Sequence, residues 1–166
     1  MKRRLHYSIL SCCALVLLPL LATRVNAQEP ATLTEEAIRT MLNQNDRAAE
    51  KGNVTRMMEP VAKDVKIKVA ITTPQSKEEQ VGYLTREMLE SNYRQNMRLR
   101  RSYKIVRKNV KIKIYDDNTA MVESELYETF TTRQGSIRSS SSEVLSVSLE
   151  DGKVVMKSIN VRMRVY

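Results

Sequence analysis

From Tyr103 onward apolar residues recur at every second position over nearly the whole remaining chain, and this stretch of period two constrains the fold most. Tyr103 and Ile105 open it, and Val110, Ile112 and Ile114 continue it with the opposite parity, which predicts a bulge over 107–109. Asp116-Asp117-Asn118 marks a turn. Three further strands follow over 119–132, 137–149 and 153–166, joined at Gln134-Gly135 and Asp151-Gly152. A two-residue turn at Gln134-Gly135 sets Val122 opposite Val147, Ser124 opposite Leu145, Leu126 opposite Glu143 and Glu128 opposite Ser141. The apolar positions of both strands then share one face, as a half-buried antiparallel sheet requires. In the last strand Val154 and Met156 differ in parity from Ile159, Val161, Met163 and Val165, so a second bulge is predicted near Ser158. Four such strands leave one apolar face that other elements must cover.

The cover is written in the preceding residues, where the period is 3.6. After a polar lead-in over 28–33, a helix is predicted over 34–51, with Ile38, Met41, Leu42, Asn45, Ala48 and Ala49 on one face. Thr32 with Glu35 offers a capping box, and Gly52 a stop. A short helix over 54–58 extends the apolar surface and ends near Pro60. Val65, Ile67, Val69 and Ile71 then alternate with Lys66, Lys68 and Ala70 as a strand that Pro74 ends. Ser76 to Glu79 reads as another capping box, opening a long helix through Val81, Leu84, Met88 and Leu89 towards Arg98.

Residues 1–27 have the three parts of a bacterial secretory signal peptide: a basic start (Lys2, Arg3, Arg4), an apolar run around 7–22, and Val25-Asn26-Ala27 before a cut at Gln28. The run is interrupted by Pro19 and closed by Arg24, and it falls short of the roughly 20 residues that span a bilayer. Ser11-Cys12 loosely resembles a lipobox, but it precedes most of the apolar run. The expected destination is the periplasm or the exterior, with residues 28–166 as one domain. Four basic and no acidic residues lie in 1–27, so of 28 Lys and Arg the remainder keeps 24 against 19 Asp and Glu, a net charge of +5 rather than +9.

Cys12, Cys13 and His6, the only cysteines and histidine, also lie in that leader, and the chain has no Trp. The exported part therefore excludes disulfides, Cys- or His-ligated zinc, Cys–His and Ser–His–Asp nucleophile systems and His-ligated haem. With one Phe and seven Tyr, the core is built from Val, Ile, Leu and Met. No cofactor and no metal are expected, and no catalytic residue is assigned.

The carboxylates that stand out are Glu128 and Glu143, which the register puts on the apolar face with Ser124 and Ser141 beside them. There either could serve as a general base, or both could sit at an open rim, solvated or paired with arginine. Tyr83 and Tyr93, on the long helix, and Asn45, on the first, are the other pocket candidates; Asp46, beside that face, reads as solvated. Between Arg94 and Lys113 lie nine basic residues, among them Arg98, Arg100, Arg101, Lys104, Arg107 and Lys108, and no acidic residue occurs from Ser91 to Tyr115. Such a run is either a solvated outer face or a patch for anionic surfaces. Nucleic acid is disfavoured, because stacking aromatics are not interleaved with the cations.

Helix, short helix, strand, helix, then four long antiparallel strands is an order that resembles the nuclear transport factor 2-like superfamily. Val110 to Val122, a strand, acidic turn, Thr-Ala and apolar strand, is similar to its ketosteroid-isomerase and polyketide-cyclase-like branch, and Glu150-Asp-Gly-Lys-Val154 to its penultimate hairpin. The resemblance implies an α+β fold in which a cone-like curved antiparallel sheet packs on N-terminal helices. Val154 and Val155 stand where many relatives have Trp, and there is no His for the cone. The superfamily's functions are too varied for fold alone to choose among them. The expected role is an exported, non-catalytic binding or assembly module of the cell envelope, dimeric through its sheet. The alternative is a small apolar-ligand carrier, or an isomerase- or dehydratase-type enzyme, using the cone.

Overall fold

The structure, a computed structural model, describes residues 32–76 and 78–166; the signal peptide expected over 1–27 and the cut expected at Gln28 lie outside the described residues. Its elements are α1 (Glu35–Lys51), α2 (Val54–Met58), β1 (Val61–Thr72), β2 (Gln80–Leu84), α3 (Arg86–Leu99), β3 (Ser102–Ile114), β4 (Thr119–Thr131), β5 (Ser136–Glu150) and β6 (Lys153–Val165). The six strands form one curved sheet in the order β2-β1-β6-β5-β4-β3. Every neighbouring pair is antiparallel except β1 and β6, which run parallel.

The helices begin and end where side chains satisfy their free backbone groups. Thr34, not Thr32, caps α1: in extended conformation it accepts a hydrogen bond from Ala37 N at 3.1 Å. Gly52 ends that helix with φ of 70°, a left-handed conformation open to glycine at little cost. The third helix departs from the sequence reading. Gln80 to Leu84 is a strand paired with β1 through Ile67–Leu84, Val69–Gly82 and Ile71–Gln80, and the helix starts only after Thr85, whose side chain accepts from Met88 N. Gly82 inside the expected helix disfavours it, while pairing against β1 favours extended chain.

Both predicted bulges are present. Between Lys108 and Lys111 two residues of β3 oppose one of β4, and Asn109 takes φ of 52°. Lys157 is the extra residue in β6, between Met156 (opposite Val147) and Ser158 (opposite Ser146). The β4–β5 hairpin closes through a four-residue tip, 132–135, where Thr132 N donates to Gly135 O at 2.8 Å. Partners are therefore displaced by two residues from the predicted register: Val122 faces Leu145, Ser124 faces Glu143, Leu126 faces Ser141 and Glu128 faces Ser139. An even displacement keeps every side chain on its face.

Helix α1 packs on β3, and α3 on β1, closing the concave side of the sheet. Ile38, Val122, Leu145 and Val147 are fully buried there, with Met41, Leu42, Met57, Met58 and Ile159 around them. Each such aliphatic side chain contributes about 1.5–3 kcal/mol by leaving water. This part of the concave face is thus covered by Ile, Val, Leu and Met. Towards the other end the same sheet face turns polar.

Candidate functional site in the mouth of the cone

The polar wall follows from strand periodicity. Tyr103, Ile105 and Arg107 of β3, Ser124, Leu126, Glu128 and Phe130 of β4, and Ser139, Ser141 and Glu143 of β5 alternate onto the concave face. Arg107 is the centre of its inner part, with its side chain only 10% exposed. Its Nε and Nη2 donate to Asp46 Oδ2 and Oδ1 of α1, each at 3.0 Å, and its Nη1 donates to Ser124 Oγ at 2.6 Å and to Glu143 Oε2. Ser124 Oγ also donates to Glu143 Oε2, at 3.2 Å. Burial alone works against the guanidinium cation, but the hydrogen bonds to Asp46 and the charges of Glu143 and Asp46 outweigh it and hold Arg107 above its ordinary pKa.

Nearer the opening, Glu128 accepts from the Tyr103 hydroxyl at Oε1 and from Ser139 Oγ at Oε2, the latter at 3.3 Å. Tyr103 meets Phe130 edge to face with ring centroids 6.4 Å apart. Its pKa is pushed up, first by burial and then by the charge of Glu128 and the hydrogen bond to it. Tyr93, from α3, is pushed up by burial and then by the charges of Glu143 and Glu128, with Arg107 opposing. Ser141 lies between Ser139 and Glu143 on the same strand face, 5% exposed, and its Oγ has no hydrogen-bond partner.

Of the candidates named from sequence, Glu128 and Glu143 lie on this wall, and Tyr93, on α3, is near enough for their charges to act on it. Asn45 belongs elsewhere: its Nδ2 donates to Met57 O at 2.8 Å and ties α1 to α2. Tyr83 lies on β2 rather than on a helix, opposite Lys68 and 74% exposed, away from the concave face. The basic run does not form one surface. Lys104 and Lys108 project from the convex face of β3, Arg94 pairs with Glu90 along α3, and Arg98 and Arg101 are exposed. Arg100 caps α1, donating to Ala49 O at 2.8 Å and Glu50 O at 2.9 Å. Arg107 points inward.

Tyr103, Asp46 and the inward role of Arg107 are what the sequence reading missed. The signal for Arg107 was its shared parity with Tyr103 and Ile105, and for Asp46 its position four residues after Leu42 and three before Ala49. Two open clefts of about 340 and 250 Å³ flank α3 around Arg94 and Arg98, outside the polar wall. Among the described residues no three His, Cys, Asp or Glu side chains are grouped to hold a metal ion, and no helix is long and apolar enough to cross a membrane.

Chemically, the wall has two parts. Glu143 is committed to Arg107 and Ser124, which leaves it poorly placed to take a proton. Glu128 meets only neutral hydroxyl donors and is partly exposed.

No family model and no curated protein matches this sequence. Solved structures do match in shape. A protein assigned as a scytalone dehydratase from Novosphingobium aromaticivorans superposes with a TM-score of 0.64 at 14% identity, over 77% of this chain and 82% of its own. The type 3 hexachlorocyclohexane dehydrochlorinase from Novosphingobium barchaimii gives 0.58 at 13% identity, over 77% and 84%. A cystatin-like protein of unknown function from Nostoc punctiforme gives 0.56 at 16%, over 80% and 94%. Likeness at such identities is one of fold. By its sheet order, its helical cover and these neighbours, the chain has the fold of the nuclear transport factor 2-like superfamily.

Proposed function

We propose that this chain is an exported small-molecule-binding protein that uses the mouth of its cone. The observation that carries the reading is the division of the concave face: one part is filled by aliphatic side chains, and the other carries Glu128 with Tyr103 and the buried, unpartnered hydroxyl of Ser141. Pockets that combine an apolar body with a few convergent polar groups are the common form of a ligand site. Binding without turnover is favoured because Glu143 is held by Arg107 and the exported chain has no His to pass a proton on. The leader pattern of 1–27 supports export to the periplasm. The convex sheet face, with Val106, Tyr127 and Val144 exposed, supports pairing of two copies through the sheet.

The test is native mass spectrometry of the protein recovered from the periplasm. A mass beginning at Gln28, with a stoichiometric adduct lost in Glu128→Gln, is the expected result. A bare protein that gains no adduct from periplasmic extract would sink the binding role.

A second reading is favoured by one feature, the carboxylate of Glu128 held by a phenol. It would suit proton abstraction from a carbon acid, as in the eliminations that the names dehydratase and dehydrochlorinase denote among the structural neighbours. Turnover on a carbonyl or halogenated substrate that Glu128→Gln reduces at least about a hundredfold would establish it in place of simple binding.

A further inference from the structure

We infer that the mouth selects an organic cation, an ammonium group carried on a compact apolar or aromatic body. The inference rests on the mouth being a ligand site and adds the class of ligand. Its basis is the sign of charge on the wall. Asp46, Glu128 and Glu143 stand against one guanidinium, Arg107, and that cation is shared between Asp46 and Glu143. Glu128 has only Tyr103 and Ser139 as partners, both neutral. A half-buried carboxylate without a counter-charge is costly, and a ligand cation removes that cost.

The neighbouring cations do not supply it. Lys104, Arg138 and Arg164 flank this end of the sheet, but they occupy the alternate positions and are exposed on the convex side, while Arg101, with the parity of Tyr103, and Arg133, at the hairpin tip, are exposed and form no ion pair with these carboxylates. The guanidinium of Arg100 is engaged by the last carbonyls of α1, and Glu50 on that helix adds another carboxylate, its Oε1 accepting from Ile105 N at 3.4 Å. The wall is therefore locally anionic on a chain whose exported part carries a net charge of +5 (24 Lys and Arg against 19 Asp and Glu).

Two further observations point to a ligand of this shape. Ser141 is buried with its hydroxyl unpartnered, between the Glu128 and Glu143 clusters on one strand face, so the wall holds a polar group that no other described residue satisfies. Beside Glu128 lie the rings of Tyr103 and Phe130, and Ile137, opposite Phe130, is half exposed at the opening. Carboxylate with aromatic faces is the combination that recognises ammonium groups, by charge and by attraction to the ring. A bare metal ion fits less well, because Arg107 already stands between two of the three carboxylates and no three ligating side chains are grouped among the described residues.

The probes are phenethylamine, phenethyl alcohol and phenylacetate, which share a body and differ in charge. Binding to the exported protein is followed by calorimetry and by amide chemical shifts of residues 103, 128, 139 and 141. Phenethylamine should bind at least about tenfold more tightly than the alcohol, and phenylacetate more weakly than either. Glu128→Gln should erase the preference, the amine then binding no more tightly than the alcohol. Glu128→Asp, which keeps the charge, should retain the preference and guards against a variant that fails to fold. Equal binding of amine and alcohol, or a preference for phenylacetate, overturns the cation inference and leaves the mouth as a ligand site. If none of the three shifts the mouth residues, the cation inference is overturned; the adduct experiment above then decides separately whether the mouth binds at all.

Discussion

Arg107 joins a helix to a sheet through charge. It holds Asp46 of α1 and Glu143 of β5 at once, with all three side chains less than one-fifth exposed. Removing one partner from such a network leaves the others as uncompensated buried charges. Arg107→Ala should therefore cost about 3–5 kcal/mol, measured by urea unfolding. Replacing Asp46, Arg107 and Glu143 together by apolar residues of similar size should recover most of that loss, because no charge then remains to be paired. A small effect of Arg107→Ala alone would mean that water, and not Arg107, satisfies the two carboxylates. The contrast between Arg107 and Lys108 shows what was readable at this scale. Strand parity alone sends one inward and the other outward, and a run of nine cations masks that alternation. Asp46 was harder: one residue from a helical face it can be solvated or buried, and only the partner across 61 positions decides.

At the level of elements, periodicity told most where it was long. The four C-terminal strands, both bulges and the first two helices were legible, because many residues agreed on one period. The stretch 76–89 was not. Its five-residue strand is too short to establish a period, and Ser76 to Glu79 offered a helix start that lost to Thr85. Tyr83, on that strand, therefore lies outside the candidate site. The hairpin tip was misjudged by two residues for a related reason: Gln134-Gly135 resembles a two-residue turn, and only the backbone shows that Thr132 closes it from further back. The bulge in β3 yields a direct prediction. Asn109 sits at φ of 52°, where glycine is free, asparagine tolerated and a β-branched residue strained. Asn109→Gly should change stability by less than about 1 kcal/mol, whereas Asn109→Val should lose about 1–2 kcal/mol. Thermal unfolding of the pair checks this, and equal stabilities would mean the bulge can shift along the strand.

For the whole molecule, the order β2-β1-β6-β5-β4-β3 sets a rule about assembly in time. The strand that comes last in the sequence lies between β1 and β5, pairing parallel with one and antiparallel with the other. Until β6 has been made, the sheet exists as two unjoined ribbons, β1 with β2 and β3 with β4 and β5. A chain stopped at Glu150 should show no cooperative unfolding transition, and a sigmoidal urea curve from it would contradict the role given to β6. Closing that gap joins residues far apart in sequence, which makes folding intrinsically slow. Under the proposed export the delay is useful: a protein that cannot complete its sheet before its final strand emerges would stay unfolded long enough to be threaded through a membrane, and would find its structure on the far side.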